Sequence, residues 1–258
     1  TIAASGSEMS NSCVITNEEG WLKRSTARND LCRPRFAILN PRLTYTLPQY
    51  QTESGCVDIL MHTMERYFVN IETMEITDSI SESLMQTVIY NSRILLKEPD
   101  NYTARAEVMW AGSLSHNGLT GAGRVSDFAT HKIEHELGGM FDVAHGAGLA
   151  SVWGSWARYV YKTNPGRFAQ FGEKVFGIDA SQTSDSDITD TVLASITAWE
   201  TWCHSIDMPT TLTELGIYPT DAQIEEMAEK CVFGRNGHIG FFQPLTKEDI
   251  VAILQMAK

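Results

Sequence analysis

The stretch from residue 58 to residue 68 reads DILMHTMERYF, and its spacing decides the fold class. Met61, Met64 and Phe68 recur at intervals of three and four with polar residues between them, which is the periodicity of an α-helix. This spacing begins near Gln51 and returns in the later segments of the chain. The sequence therefore predicts a mainly α protein of six to nine helices packed as one bundle.

The residues before Pro48 have a different character. The β-type runs at 13–16 and 36–39 are separated by glycines and prolines, a pattern typical of short strands and turns. We therefore expect a short strand-rich piece ahead of the helices.

Three helix starts are marked by a hydroxyl residue three positions before a polar side chain that can reach back to it. These pairs are Ser79 with Glu82, Thr220 with Gln223, and Thr246 with Asp249. Glycine, proline and short polar residues cluster at five expected loops, which are 97–101, 121–126, 164–166, 179–187 and 234–240.

The composition excludes several classes of function. Twenty Lys and Arg against 32 Asp and Glu give a formal net charge of −12, so no binding to nucleic acid or to an anionic membrane is expected. The apolar runs are short, as at 250–254, and none approaches the roughly 20 residues of a bilayer span. Five scattered cysteines without a CxxC pair indicate reduced thiols and a cytoplasmic location.

Two segments carry side chains with the spacing of metal ligands. Asp58 and His62 lie four residues apart on a predicted helix, so both emerge from one face about one turn apart. The segment 131–146 holds three of the seven histidines, at positions 131, 135 and 145. One carboxylate and up to four imidazoles suit zinc, ferrous iron or a similar divalent ion.

Spacing alone leaves the chemistry of this site open. His131, Glu134 and His135 match the H-x-x-E-H pattern of inverted zinc peptidases, in which two histidines bind zinc and the glutamate activates water. Such a hydrolase gives no role to Asp58 or to the other two histidines. Another alternative is a non-catalytic helical module whose histidines are structural.

Several motifs follow one another in a fixed order along most of the chain. The main ones are the segment 58–62, then His131 and His135, then Ala144-His145-Gly146. Supporting stretches lie at 1–8, 45–48, 97–102, 117–119, 121–123 and 244–249. This combination resembles the iron-containing (group III) alcohol dehydrogenases, and especially their NADPH-linked aldehyde reductase and butanol dehydrogenase branch.

The resemblance implies a role for each matching residue. It makes Asp58, His62, His131 and His145 the ligands of an iron or zinc ion, and it makes His135 a catalytic residue that handles protons. Spacing alone would instead pair His131 with His135. Four more positions match cofactor contacts of the family, namely Thr1, Ser5, Lys23 and Leu43. The implied reaction is reversible hydride transfer between NAD or NADP and a small primary aldehyde or alcohol, in a homo-oligomer.

The chain departs from the family pattern in one respect. Family members contain a glycine-rich Gly-Gly-Gly-Ser turn that cradles the cofactor's pyrophosphate, and these residues contain none. We therefore expect a fragment in which 1–48 is the C-terminal remnant of an α/β dinucleotide-binding domain and 49–258 is the helical metal-binding domain. It should bind a divalent ion but reduce aldehydes weakly or not at all. Strand edges near Val14 and Ile38 are expected to favour self-association.

Other residues near these motifs allow two interpretations. Four aromatic residues would suit the alkyl tail of a substrate, although core packing is favoured for each of Trp110, Phe141, Trp153 and Trp156. Glu134 and Glu136 could orient imidazoles, although solvated helix positions are favoured for both.

Overall fold

The computed structural model describes residues 2–25, 29–71, 74–179 and 188–258. Over these ranges the chain forms nine α-helices and one two-stranded sheet, which confirms the prediction of a mainly α protein. The helices are α1 (Gln49–Tyr67), α2 (Glu75–Lys97), α3 (Tyr102–His116), α4 (Ala129–Phe141), α5 (His145–Val160), α6 (Pro165–Phe176), α7 (Ile188–Ser205), α8 (Asp221–Val232) and α9 (Lys247–Met256). The strands are β1 (Val14–Asn17) and β2 (Leu22–Ser25). Within the same ranges, no helix has both the length and the apolar character that crossing a membrane requires.

Helix α1 lies at the centre of the bundle because nearly its whole surface is covered. Fifteen of its 19 residues are buried, and it packs against α2, α3 and α5. The buried set includes the carboxylates of Asp58 and Glu65 as well as apolar residues such as Met61. A buried carboxylate is costly unless hydrogen bonds or a cation compensate for lost hydration, so α1 requires polar partners from its neighbours.

A sharp corner between α4 and α5 brings the start of α5 against α1. Asp142 ends α4 in the left-handed backbone conformation, with φ of 52°, and α5 begins three residues later. Glycine is required at position 146, because a Cβ there would lie 1.8 Å from the carbonyl oxygen of Ser54 on α1. This close approach places His145 beside α1.

An aromatic cluster fills the core behind the histidine-bearing helices. Phe68 is central to it, with ring centroids 4.6 Å from Phe168 and 5.8 Å from Trp153. Trp153 and Trp156 are 1% and 2% exposed, which agrees with their favoured interpretation as core residues. Trp110 is half exposed on α3, so it does not belong to this core.

The N-terminal residues form a hairpin rather than a larger sheet. β1 pairs antiparallel with β2 in a register that places Val14 opposite Ser25, which confirms the expected strand at 13–16. The prediction of a strand at 36–39 is wrong, because these residues form no regular element and pair with no strand in the described part of the chain. Extended backbone becomes a strand only when another strand accepts its hydrogen bonds.

Two of the three expected helix starts are confirmed. Thr220 and Thr246 form capping boxes at α8 and α9, each with the predicted side chain three residues on. The prediction that Ser79 caps a helix is wrong, because α2 already begins at Glu75. The Ser-x-x-Glu spacing also occurs inside helices. The expected loop at 97–101 is confirmed in outline between α2 and α3, whereas most of the loop at 179–187 lies outside the described residues.

Candidate metal centre

One carboxylate oxygen is surrounded by three imidazoles. Asp58 on α1 is 6% exposed, and its Oδ1 lies 2.9 Å from Nδ1 of His62, one helical turn further on. The same oxygen lies 3.6 Å from Nε2 of His131 on α4 and 3.6 Å from Nε2 of His145 at the start of α5. Three helices therefore bring four residues that are distant in sequence to one point.

Two further carboxylates hold the outer nitrogens of these rings. Glu65 on α1 accepts a hydrogen bond from Nδ1 of His131 at 3.0 Å. Glu134 on α4 is hydrogen-bonded in the same way to Nδ1 of His145. In both rings the other nitrogen, Nε2, is the one that faces Asp58.

Unpartnered buried atoms show that this group of residues fits a metal ion. Among the described residues, Asp58 Oδ1 and His131 Nε2 are buried and make no hydrogen bond of acceptable geometry, and the 2.9 Å contact of Asp58 with His62 is a close approach without one. Buried polar atoms normally have a partner, so two that face one point indicate a missing ligand. A set of one carboxylate and imidazole nitrogens suits Zn²⁺ or Fe²⁺.

A second group of potential ligand atoms adjoins the first. Ligand atoms of Asp58, His62 and His131 all lie within 4.8 Å of one another, and so do those of Glu134, His135 and His145. The two groups meet at His145, whose two ring nitrogens face different carboxylates. The structure thus places every histidine of the segment 131–146 at one site.

The titration behaviour of the site favours binding of a cation. Burial raises the pKa of Asp58, but the charges of His62 and His145 outweigh burial and hold this pKa well below its usual range. Burial lowers the pKa of His131, whereas the carboxylates of Asp58 and Glu65 raise it to about 9. A divalent ion could replace the proton that His131 holds between these two carboxylates.

His135 lies beside this group and has a different electrostatic character. Its ring centroid is 5.8 Å from that of His145, and the residue is 7% exposed. Burial, together with the charges of His145 and His131, lowers the pKa of His135 to about 2. The imidazole is therefore neutral at physiological pH, with one ring nitrogen that donates a hydrogen bond and one that accepts.

Three residues at the site were not predicted from the sequence. His116, the last residue of α3, has its ring centroid 4.0 Å from that of His62. Phe128, at the start of α4, has a positive φ of 56° and its ring lies 5.1 Å from His131. Glu65 follows Asp58 by seven residues, so a search for acidic residues at i+7 on the same helical face would have found it.

The residues expected to contact the cofactor fall in different places. Lys23 on β2 lies at the site, with Nζ 3.6 Å from Glu134 Oε2. Ser5 is exposed and immediately precedes Gly6, where a Cβ would lie 2.1 Å from the His116 ring, so it is the neighbouring residue Gly6 that borders the site. Leu43 is 78% exposed, in a turn that packs against α3. Thr1 lies outside the described residues.

The favoured interpretation of the two glutamates is wrong. Glu134 is fully buried and Glu136 is 3% exposed, because the hairpin covers this face of α4. Glu136 pairs with Arg24 of β2, and Glu134 is bonded to His145 on the side of the ring away from Asp58. A water-activating glutamate has to face solvent beside the ion, so the position of Glu134 argues against the peptidase alternative.

The fold and the site define a helical domain with a candidate metal centre built from one carboxylate and three imidazoles. Residues 52–258 match the C-terminal part of the Fe-containing alcohol dehydrogenase family. The chain belongs to this family, as the resemblance predicts.

Individual relatives agree with this assignment. The chain is 35% identical to NADH-dependent butanol dehydrogenase A of Clostridium acetobutylicum over 256 residues, which cover 99% of this chain and 64% of that protein. It is 35% identical to NADPH-dependent aldehyde reductase YqhD of Escherichia coli over 217 residues, covering 84% of this chain and 54% of that protein. The crystal structure of NADH-dependent butanol dehydrogenase A from Thermotoga maritima is similar with a TM-score of 0.91 at 33% identity, over 100% of this chain and 64% of that one. The chain therefore spans 64% of the length of these butanol dehydrogenases.

Proposed function

We propose that this chain is the metal-binding part of an alcohol dehydrogenase or aldehyde reductase. The reaction is reversible hydride transfer between NAD(P)H and a small primary aldehyde or alcohol. One observation carries the proposal, namely that Asp58 Oδ1 lies within 3.6 Å of a ring nitrogen of each of three histidines. Membership of the iron-containing family and relatives named as butanol dehydrogenases support the choice of chemistry.

The metal ligands in this proposal are Asp58, His62, His131 and His145. An iron or zinc ion bound to them would act as a Lewis acid on the oxygen of the substrate. His135 is not a ligand in this assignment. The resemblance gives His135 the proton-handling role, and its position one helical turn from His131 and beside His145 places the ring within the site.

The cofactor lies on the side of the hairpin in this proposal. Lys23 and Ser5 are the supported contacts, because Lys23 lies 3.6 Å from Glu134 and Ser5 adjoins Gly6, which packs against His116. Thr1 and Leu43 remain contacts on the strength of the resemblance alone. Residues 1–48 then belong to a dinucleotide-binding domain and 49–258 to the metal-binding domain. Without a glycine-rich phosphate turn in these residues, we expect the 258-residue polypeptide itself to reduce aldehydes weakly.

The protein is proposed to be a cytoplasmic homo-oligomer. Cys56, Cys203 and Cys231 are buried free thiols, which fits a reducing compartment. Large apolar side chains are exposed in the N-terminal region, with Phe36 at 84% and Ile38 at 87%, and such surfaces favour contact with another chain. Light scattering of the purified polypeptide tests the oligomeric state.

Metal analysis tests the proposal directly. The purified polypeptide is loaded with Zn²⁺ or Fe²⁺ without oxygen, and bound metal is measured for the wild type, His145→Ala and Glu134→Ala. We expect about one ion per wild-type chain and much less in His145→Ala. A peptidase would lose its water-activating group in Glu134→Ala and would hydrolyse peptides in the wild type. A wild-type chain that binds no divalent ion would overturn the proposal.

A further inference from the structure

The inference concerns the two carboxylates that hold the outer nitrogens of His131 and His145. We propose that Glu65 and Glu134 are positioning residues, which fix the rotation and the tautomer of these two rings so that both Nε2 atoms face Asp58. The inference rests on the proposed function, because it takes His131 and His145 as metal ligands.

Glu65 is anchored to His131 by two bonds. Its Oε1 accepts hydrogen bonds from the backbone N–H of His131 at 2.9 Å and from Nδ1 of the ring at 3.0 Å. Glu65 is 3% exposed, so water does not compete for these bonds. Because Asp58, His62 and Glu65 follow one another at i, i+4 and i+7, one face of α1 carries two ligands and the residue that orients a third.

Glu134 is tightly packed, and two of the residues around it are glycines whose replacement by a larger residue would cause a clash. It is fully buried, and Lys23 Nζ lies 3.6 Å from its Oε2. A Cβ on Gly148 would lie 2.9 Å from Glu134 Cγ, and a Cβ on Gly138 would lie 3.0 Å from Glu134 Oε1. Two glycines and one lysine thus fix the carboxylate that is bonded to Nδ1 of His145.

The direction of these hydrogen bonds determines which nitrogen of each ring carries a hydrogen. A carboxylate accepts the hydrogen bond from Nδ1, so Nδ1 of both histidines carries a hydrogen and Nε2 is the nitrogen left to bind an ion. In both rings this Nε2 lies 3.6 Å from Asp58 Oδ1. Glu134 and Asp58 contact opposite nitrogens of His145. Glu134 would therefore not be a direct ligand of an ion held at Nε2. A carboxylate behind a ligand imidazole also makes that ring a stronger donor.

Glutamine variants separate orientation from general packing, because they keep the size of the side chain and lose its charge. The probe is Co²⁺, whose visible spectrum reports coordination geometry and whose affinity is measured by competition with a chelator. The set is Glu65→Gln, Glu134→Gln and the matched control Glu136→Gln, which also removes a buried carboxylate from α4 but one that pairs with Arg24. The free energy of unfolding of each metal-free variant is measured alongside.

We expect Glu65→Gln and Glu134→Gln each to weaken Co²⁺ binding by about 10-fold to 100-fold and to shift its visible bands. Glu136→Gln should change affinity less than 3-fold and leave the spectrum unchanged, whatever its effect on stability. Glu65→Asp, which keeps the charge and shortens the reach, should recover part of the affinity lost in Glu65→Gln.

Each result bears on the inference separately from the proposed function. Wild-type affinity and spectrum in both glutamine variants, with His145→Ala still deficient, would overturn the positioning role and leave the metal centre intact. An equal loss in Glu136→Gln would also overturn it, since packing would then explain the effect. A wild-type chain without Co²⁺ binding would instead contradict the proposed function. The two carboxylates lie on different helices, α1 and α4. If one glutamine variant does not fold, the other still tests the positioning role.

Discussion

Gly146 on α5 is packed so tightly against Ser54 on α1 that a Cβ at 146 would lie 1.8 Å from the Ser54 carbonyl oxygen and 2.8 Å from its Oγ. No ordinary side-chain movement relieves a clash with a backbone carbonyl. The two helices would have to separate, and His145, the residue before Gly146, would move away from Asp58. The contact between these two residues therefore controls the geometry of the candidate metal centre.

Gly146→Ala is expected to lower both stability and metal affinity. Overpacking of this kind costs about 1–3 kcal/mol in the free energy of unfolding, and displacement of His145 should weaken Zn²⁺ binding at least 10-fold. Gly166→Ala on α6 is the control, because its Cβ would meet only Asn164 Oδ1 at 3.7 Å. Unchanged zinc affinity in Gly146→Ala would show that this contact does not set the position of His145.

Variants of the proposed metal ligands should lose bound metal, whereas a variant of the proton-handling residue should keep it. His62→Ala and His131→Ala each remove a proposed ligand from a buried site, so we expect bound Zn²⁺ to fall well below one per chain. His135→Ala should keep the wild-type metal content, because His135 faces His145 rather than Asp58. Loss of metal in His135→Ala with retention in His62→Ala would move the ion to the group of Glu134, His135 and His145.

Removal of the metal is expected to lower the melting temperature. The proposed ligands come from α1, α4 and α5, so an ion binds the folded chain and not the unfolded one. At a free metal concentration of about 100 times the dissociation constant, this linkage adds about 2.7 kcal/mol. Calorimetry with Zn²⁺ and with excess chelator measures the difference, and His145→Ala, which should show almost none, is the control.

The buried ion-pair network around Asp78 should contribute strongly to the free energy of unfolding. Asp78 is 2% exposed and pairs with Arg167 at 2.7 Å and with Arg124. Asp78→Ala leaves two guanidinium groups in the interior without their carboxylate, which costs about 3–5 kcal/mol in urea unfolding. Glu173→Ala, which breaks a half-exposed pair with Lys174, should have little effect. Equal stability of the two variants would contradict this account.

The buried carboxyl group of Glu53 should make the free energy of unfolding depend on pH. It is 1% exposed, and neither of its oxygens has a hydrogen-bond partner in the described part of the chain. Burial raises its pKa from 4.5 to about 8, against the opposing charge of Arg105. A carboxyl whose pKa is raised on folding stabilises the protein when protonated, and this stability is lost as the pH rises from about 4.5 through about 8.

Glu53→Gln removes this titration, so the variant should gain stability relative to the wild type as the pH rises. The difference between the two proteins should change by up to about 5 kcal/mol between pH 4 and pH 9. Urea unfolding at several pH values measures it, and Glu107→Gln on the exposed face of α3 is the control. A difference that does not change with pH would mean that the Glu53 carboxyl is hydrated in the folded protein.

Local patterns in the sequence predicted the elements that depend only on neighbouring residues. The 3-and-4 spacing around Met61 and Met64 predicted a helix, and the hydroxyl pairs at Thr220 and Thr246 predicted helix starts. The run at 36–39 has strand-like composition but pairs with no other strand among the described residues, so local preference alone predicted the wrong element there. A strand depends on hydrogen bonds to another segment, and composition does not show whether that segment is available.

Helical spacing predicted that Asp58 and His62 share one helical face and that His131 and His135 share another, because residues four apart on a helix point in nearly the same direction. Spacing did not show that His131 rather than His135 faces Asp58 or that His145 joins them. The resemblance predicted both, and the packing of the helices shows how the residues meet and that Glu65 and Glu134 hold the rings. Helical spacing fixes a side chain's direction relative to its own axis only. The neighbour that it meets depends on how whole helix surfaces pack, and here that packing includes the approach of Gly146 to Ser54.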